Sequence, residues 1–188
     1  MKNMRIATVT SEAVPAITRL AQQLGPSTDH EKNGREGFLN PYTEAEYRSF
    51  LRRAEYFHAV LDGEFVLGFV LAHASERIEE FGFGGEVYFR MRDLATRPFT
   101  VIRQVAVDPK ARNQRWGLRL YDIVAKLSYD DRAVRDMWAF IWQNPRNAAS
   151  EGFHSALGWQ EVETYALRSD NRVAGIWRYT IPTGDRGA

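Results

Sequence analysis

Between Val107 and Leu120 the chain reads VDPKARNQRWGLRL, and the residue types suit one chemistry, the grip of an anion. Lys110, Arg112, Arg115 and Arg119 carry donors matched to phosphate oxygens, set around a single glycine, Gly117. A β-branched run ends at Asp108-Pro109; beyond it Leu120, Ile123, Val124 and Leu127 fall at the i, i+3, i+4, i+7 spacing of a buried helix face. A helix opening here presents the unpaired N–H groups of its first turn and the positive end of its dipole. A glycine in that turn lets a phosphate come close to the backbone. An exposed turn with solvated arginines is the competing reading. Walker-type and dinucleotide loops are excluded, because neither a glycine-rich loop ending in Gly-Lys-Ser/Thr nor a GxGxxG occurs.

The elements that must position this turn follow from pattern. MRIATVT alternates like an edge strand, and AVPAITRLAQQL reads as a helix with Ser11 as N-cap and Gly25-Pro26 as its end. PSTDHEKNGREGFLNP is polar and glycine-punctuated, hence a long loop of the kind often used as a lid. TEAEYRSFLRRAE forms a second helix with Thr43 and Glu46 at capping-box spacing. Two apolar runs meet at Asp62-Gly63, a hairpin signal. ERIEEFGFGGEVYFRMRDLATRP reads as a loop-like insert, FTVIRQVAVDP as a strand, and DMWAFIWQN as a strand covered on both sides. RNAASEGFHSAL is helical up to Gly158, and WQEVETYALR and RVAGIWRYTI close the chain as two strands. The middle strand–helix–strand unit demands a parallel pair, whereas the other connections suit hairpins. The expected class is α/β (α+β) with a mixed sheet.

Composition narrows the partners. The 188 residues fit one domain, 1–188, and 25 Lys+Arg against 24 Asp+Glu leave +1, so no nucleic-acid or membrane-surface partner is expected. Cysteine is absent, which removes disulfides, thiolate metal sites and a cysteine nucleophile; no metal is expected. No apolar run reaches the roughly 20 residues of a membrane span, and the N-terminus lacks a signal-peptide core, so a cytoplasmic location is expected. The exposed edge of a terminal strand could carry a homodimer contact.

VAVDPKARNQRWGLRLYDIV resembles the acyl-CoA-binding signature of the GCN5-related N-acetyltransferase (GNAT) superfamily, a strand running into Arg/Gln-x-x-Gly-x-Gly/Ala and a helix. Arg112 takes the first position and Gly117 the last, while Arg115 stands where glycine is usual. Either the backbone at 115 does without a positive φ, or the arginine side chain points away from the pyrophosphate. A second stretch, NAASEGFHSALGW, is similar to the superfamily's later motif, with Asn147, Ser150, Gly158 and Trp159 in register and His154 at the usual tyrosine. That histidine resembles the phosphinothricin-acetyltransferase-like branch. The two matches cover the C-terminal half.

The resemblance implies a mostly antiparallel sheet of about seven strands with a splayed central parallel pair and helices on both faces. It implies acetyl transfer from acetyl-CoA to a primary amine of a small molecule or peptide by direct attack in a ternary complex. Val105 and Val107, with Ala106 between them, would pair with the pantetheine arm. Backbone N–H groups over Arg112, Asn113, Gln114, Arg115, Trp116, Gly117 and Leu118 would take the pyrophosphate, and Asn147, with Asn144 close by, would hold the CoA chain. His154 would supply a proton to the leaving thiolate, against the plainer reading of a packed helix-face histidine. TVIRQVAV lacks the strand glutamate common in relatives, so the base stays open among Glu79, Glu80, Glu86, His73 and water. Phe38, Phe81, Phe83, Tyr88 and Phe89 suggest an aromatic-lined acceptor pocket. The rival reading is a non-catalytic acyl-CoA-binding sensor of the same fold, favoured by the missing glutamate and by Arg115.

Overall fold

In the computed structural model, which describes residues 4–28, 37–81, 85–168 and 171–182, the chain forms a seven-stranded sheet with helices on both faces. The strands are β1 (Met4–Thr8), β2 (Tyr56–Asp62), β3 (Phe65–Ala74), β4 (Thr100–Val107), β5 (Asp136–Asn144), β6 (Gln160–Ala166) and β7 (Val173–Thr180). Their spatial order is β1-β2-β3-β4-β5-β7-β6. Every neighbouring pair is antiparallel except β4 and β5, which run parallel as the crossover requires. The last strand is therefore interior, and the edge expected of it belongs to β6.

The helices are α1 (Val14–Gln23), α2 (Glu44–Phe50), α3 (Ile78–Phe81), α4 (Gly85–Leu94), α5 (Trp116–Arg132) and α6 (Ala148–Ala156). On one face, Val14, Ile17 and Leu20 of α1 and Tyr47 and Phe50 of α2 pack on Phe57, Phe69 and Leu71. Farther along that face, Val87, Tyr88 and Met91 of α4 cover Val101, Trp138 and Ile176. The opposite face carries Leu120, Tyr121 and Val124 of α5 against Val60, Val70, Ile102 and Met137. Phe153 and Leu157 of α6 join that cluster.

Two expectations need correction. Ser11 does not cap α1: Ser11–Ala13 make a 3-10 turn leading into Val14, and the Ser11 hydroxyl donates to Glu12. The segment after β3 is not loop-like, since it folds into α3 and α4. Its helical signal was present in Val87, Met91 and Leu94 at i, i+4, i+7, masked by the glycines that precede them. Residues 29–36 of the long loop lie outside the described residues, while 37–40 border the site.

Position within the sheet is fixed by a few polar links. The Thr43 capping box starts α2, with the Glu46 N–H donating to the Thr43 hydroxyl and the Thr43 N–H to the Glu46 carboxylate. The Thr100 hydroxyl donates to Ser128 of α5 across 2.8 Å, and the Tyr47 hydroxyl to Gln104 of β4 across 2.7 Å. Because the Thr43 side chain satisfies an otherwise unpaired N–H, Thr43→Ala is expected to lower stability by about 1 kcal/mol in a denaturant titration.

Candidate active site

The basic turn begins with the Asp108 carboxylate accepting from the Lys110 N–H, followed by a 3-10 turn over Pro109–Ala111. Two residues then adopt left-handed backbone, Asn113 at φ +63° and Arg115 at φ +61°. The first explanation offered for Arg115 therefore fails, because the backbone keeps the conformation a glycine would give it. Arg115 is exposed and borders the cavity described next. From there α5 starts at Trp116 with no side-chain cap, so its first-turn N–H groups are not closed off by a capping residue.

These N–H groups open on a cavity of about 760 Å³. Val105, Ala106 and Val107 of β4 line one side; Arg112, Asn113, Arg115, Trp116, Gly117 and Leu118 line the turn. Asn147 closes it from α6. Gln114 is exposed and Asn144 lies at the far end of β5, where its amide donates to the Asn171 carbonyl; neither borders the cavity. Neither side chain lines the groove, since Gln114 sits in the exposed turn and Asn144 at the end of the strand. The reason for a glycine at 117 also differs from expectation. A Cβ there would sit 2.8 Å from the Phe153 ring, so the missing side chain lets α6 pack on α5.

A second cavity, about 570 Å³, continues from the first, sharing Val105, Asn147, Ser150, Phe38 and Leu39. It exists because β4 and β5 pair only at Thr100↔Met137 and Val101↔Trp138 and then diverge. Its walls are Arg103–Val105 on one strand and Ala139–Trp142 on the other, joined by Tyr88 of α4. Of the aromatics expected around an acceptor, Phe38 and Tyr88 line it. Phe89 is exposed on α4 beside Arg92, and Phe83 and the Phe81 side chain lie outside the described residues.

His154 borders this slot but is 3% exposed, and both ring nitrogens are engaged. Nδ1 lies 2.7 Å from the Ser150 carbonyl, which can only accept, so Nδ1 carries the hydrogen. Nε2 is then an acceptor, 2.8 Å from the Tyr121 hydroxyl. Burial pulls the imidazole pKa down to about 4, only partly opposed by the Ser150 bond. The expectation that His154 holds a proton near neutral pH is thus corrected: the ring is neutral there. Tyr121, which the sequence reading passed over as one more helix residue, shares the slot wall with it. Its signal was its place four residues after Gly117 and three before Val124, on the buried stripe of α5.

The remaining candidates separate cleanly. Asn147 caps α6 through Oδ1, which accepts from the Ser150 N–H, and its Nδ2 donates to the Phe38 carbonyl. One amide hydrogen is left for a ligand. Glu79 and Glu80 form surface ion pairs with Arg92 and Arg77, away from the slot. His73 is fully buried outside the slot, its pKa drawn down to about 3 by desolvation. Glu86 does border the slot, with its carboxylate accepting from the Arg168 N–H and the Tyr165 hydroxyl. No cluster of potential metal ligands occurs among the described residues, and no helix there is long and apolar enough to cross a membrane.

Comparison with known proteins fits this geometry. The model of the Acetyltransferase (GNAT) family matches residues 23–159. No curated protein matches the chain. Among solved structures, Ard1 from Thermoplasma volcanium superposes with a TM-score of 0.68 at 16% identity, over 95% of this chain and 98% of that one. Arabidopsis thaliana NAA60 in complex with acetyl-CoA gives 0.67 at 14%, over 95% and 99%. The ribosomal-protein-S18-alanine N-acetyltransferase from Escherichia coli gives 0.60 at 16%, over 98% of both chains. At these identities the likeness is one of fold.

Two outcomes follow for the turn and the buried histidines. Because left-handed backbone disfavours a side chain, Arg115→Gly should raise stability by up to about 1 kcal/mol in thermal or denaturant unfolding. His154 and His73 have folded pKa values below the ordinary 6.5, so the unfolded chain binds protons that the folded chain refuses. Their stabilisation is complete above pH 6.5 and drains away as pH falls toward about 4 and about 3. The thermal midpoint should accordingly drop between pH 6.5 and pH 5, before carboxylates titrate; a flat profile would contradict this.

Proposed function

Because the chain belongs to the Acetyltransferase (GNAT) family, we propose that residues 1–188 form one N-acetyltransferase domain that moves an acetyl group from acetyl-CoA to a primary amine by direct attack. The observation that carries this reading is the continuity between the uncapped first turn of α5 and the slot between β4 and β5. A diphosphate suits the turn, since Trp116, Gly117 and Leu118 line it at the uncapped start of α5, with the helix dipole behind them and Arg112 beside them. An extended amide-bearing arm suits the edge of Val105–Val107, which has no strand partner on the β5 side beyond Val101. The acetyl group then comes to rest near Val105, where the two cavities join.

The reaction is balanced without an added acid or base: the amine nitrogen bonds the thioester carbon, the carbon–sulfur bond breaks, and the proton lost by nitrogen equals the one gained by sulfur. A backbone N–H near Val105 would stabilise charge building on the carbonyl oxygen. Tyr121 places a hydroxyl on the slot wall. His154 acts through it as a positioning residue. With Nδ1–H committed to Ser150, the Nε2 lone pair fixes the direction of the Tyr121 O–H and leaves the phenolic oxygen able to accept from the attacking nitrogen. Burial holds the Tyr121 phenol protonated far above neutral pH, so it enters the cycle neutral, its hydrogen directed at His154 Nε2 and its oxygen open to the attacking amine.

Thiol release from acetyl-CoA with a panel of amines tests the activity; coenzyme A that raises the melting temperature without turnover on any amine would instead favour a binding module. Tyr121→Phe should lower kcat by about a hundredfold while leaving the acetyl-CoA KM within about threefold. His154→Leu should lose rate similarly, whereas His154→Gln, whose amide oxygen can accept from the same hydroxyl, should recover part of it. Equal rates for the Leu and Gln variants would refute the positioning role.

A further inference from the structure

Arg103 is 8% exposed, yet it belongs to the wall of the slot. The sheet puts it there by a bulge: Leu71 pairs with Gln104 and Ala72 with Ile102, so Arg103 is the extra residue on β4. Arg103 and Gln104 consequently face the same side, toward α2 and α4 rather than α5. Gln104 is tied down by the Tyr47 hydroxyl and by its own donation to the Asn40 carbonyl. The Arg103 guanidinium lies 4.7 Å from the centre of the Tyr88 ring and 5.7 Å from that of Tyr42, and its Nη2 donates to the Tyr42 hydroxyl across 2.9 Å.

We infer that Arg103 receives a carboxylate on the acceptor, so that the favoured acceptors are small amines bearing a carboxylate, amino acids with an apolar side chain foremost. This rests on the acetyl-transfer reading above for the direction in which the amine points. Three features support it. The guanidinium is already oriented by its aromatic neighbours, so meeting an anion costs little further ordering. The faces of Tyr88 and Tyr42, which could otherwise attract an ammonium, are occupied by a cation of the protein itself. Among the described residues of the slot, Arg103 and Arg172 outnumber Glu86, whose carboxylate is turned to the β6–β7 connection by Arg168 and Tyr165.

Phe140, Trp142 and Leu167 line the slot with apolar surface suited to the side chain. Because Arg103 approaches the slot from β4 while Tyr121 approaches from α5, the carboxylate and the Tyr121 hydroxyl lie on different walls.

The test compares phenylalanine with phenylalaninamide and phenethylamine, first by calorimetric binding in the presence of coenzyme A and then by thiol release from acetyl-CoA. The acid should bind about tenfold to a hundredfold more tightly than the amide, the preference appearing in KM rather than kcat. Arg103→Met, which fills the aromatic surroundings without charge, should bring that ratio to about one, and Arg103→Lys should keep part of it. Equal or weaker binding of the acid by the native protein, or no binding of either, overturns the inference without recourse to any variant. Acid-selective binding without thiol release would uphold it and overturn the transfer reading instead.

Discussion

The ladder between β4 and β5 runs for two residue pairs, Thr100 with Met137 and Val101 with Trp138, and then the strands part. Each strand is nevertheless paired on its other side, β4 with β3 and β5 with β7, apart from one register shift in each ladder. The backbone thus forgoes hydrogen bonds only along the inner edges of a wedge, which is where a ligand with amides of its own can supply them. The closed end is pinned by Asp136, which accepts from Arg97 at 2.7 Å and Thr180 at 3.0 Å, and by the Thr100–Ser128 hydroxyl pair. Without that pinned end the slot would have no fixed width, and neither cavity would keep its shape.

The helices exploit the wedge in different ways. α5 closes one face and aims its first turn at the mouth, and the lack of a side chain at Gly117 lets Phe153 bring α6 against it. That contact sets His154 beside Tyr121, joining residues 33 positions apart in a buried hydrogen bond. On the other face the β4 bulge swings Arg103 toward Tyr42 and Tyr88. One face of the slot therefore offers a neutral hydroxyl–imidazole pair and the other a buried cation. Low polarity strengthens both, since water screens neither.

Burial also decides which residues can do what. A histidine at the motif position expected to hold a proton is neutral because it is desolvated, and it serves by accepting a hydrogen bond. An asparagine expected to touch the ligand spends most of its amide capping α6 and holding the Phe38 carbonyl. The carboxylates considered as bases divide the same way: Glu79 and Glu80 are neutralised by arginines on the surface, and only Glu86 reaches the slot.

Much of this was written locally. Periodicity and turn residues give the succession of strands along the chain, the Thr43 capping box, the Asp62-Gly63 hairpin and the parallel crossover, because these depend on neighbours a few positions away. The basic turn and its following helix are likewise local, so the anion-binding end of the site was legible in VDPKARNQRWGLRL. What the sequence could not settle were properties of non-neighbours. The left-handed backbone of Arg115 is tolerated only because surrounding structure holds it. The partnership of Tyr121 with His154 needs two helices packed through Gly117, and the aim of Arg103 needs a bulge defined against β3. Burial, and with it protonation and the direction of a side chain, is set by the whole fold; spacing along the chain sets only which atoms are available to be buried.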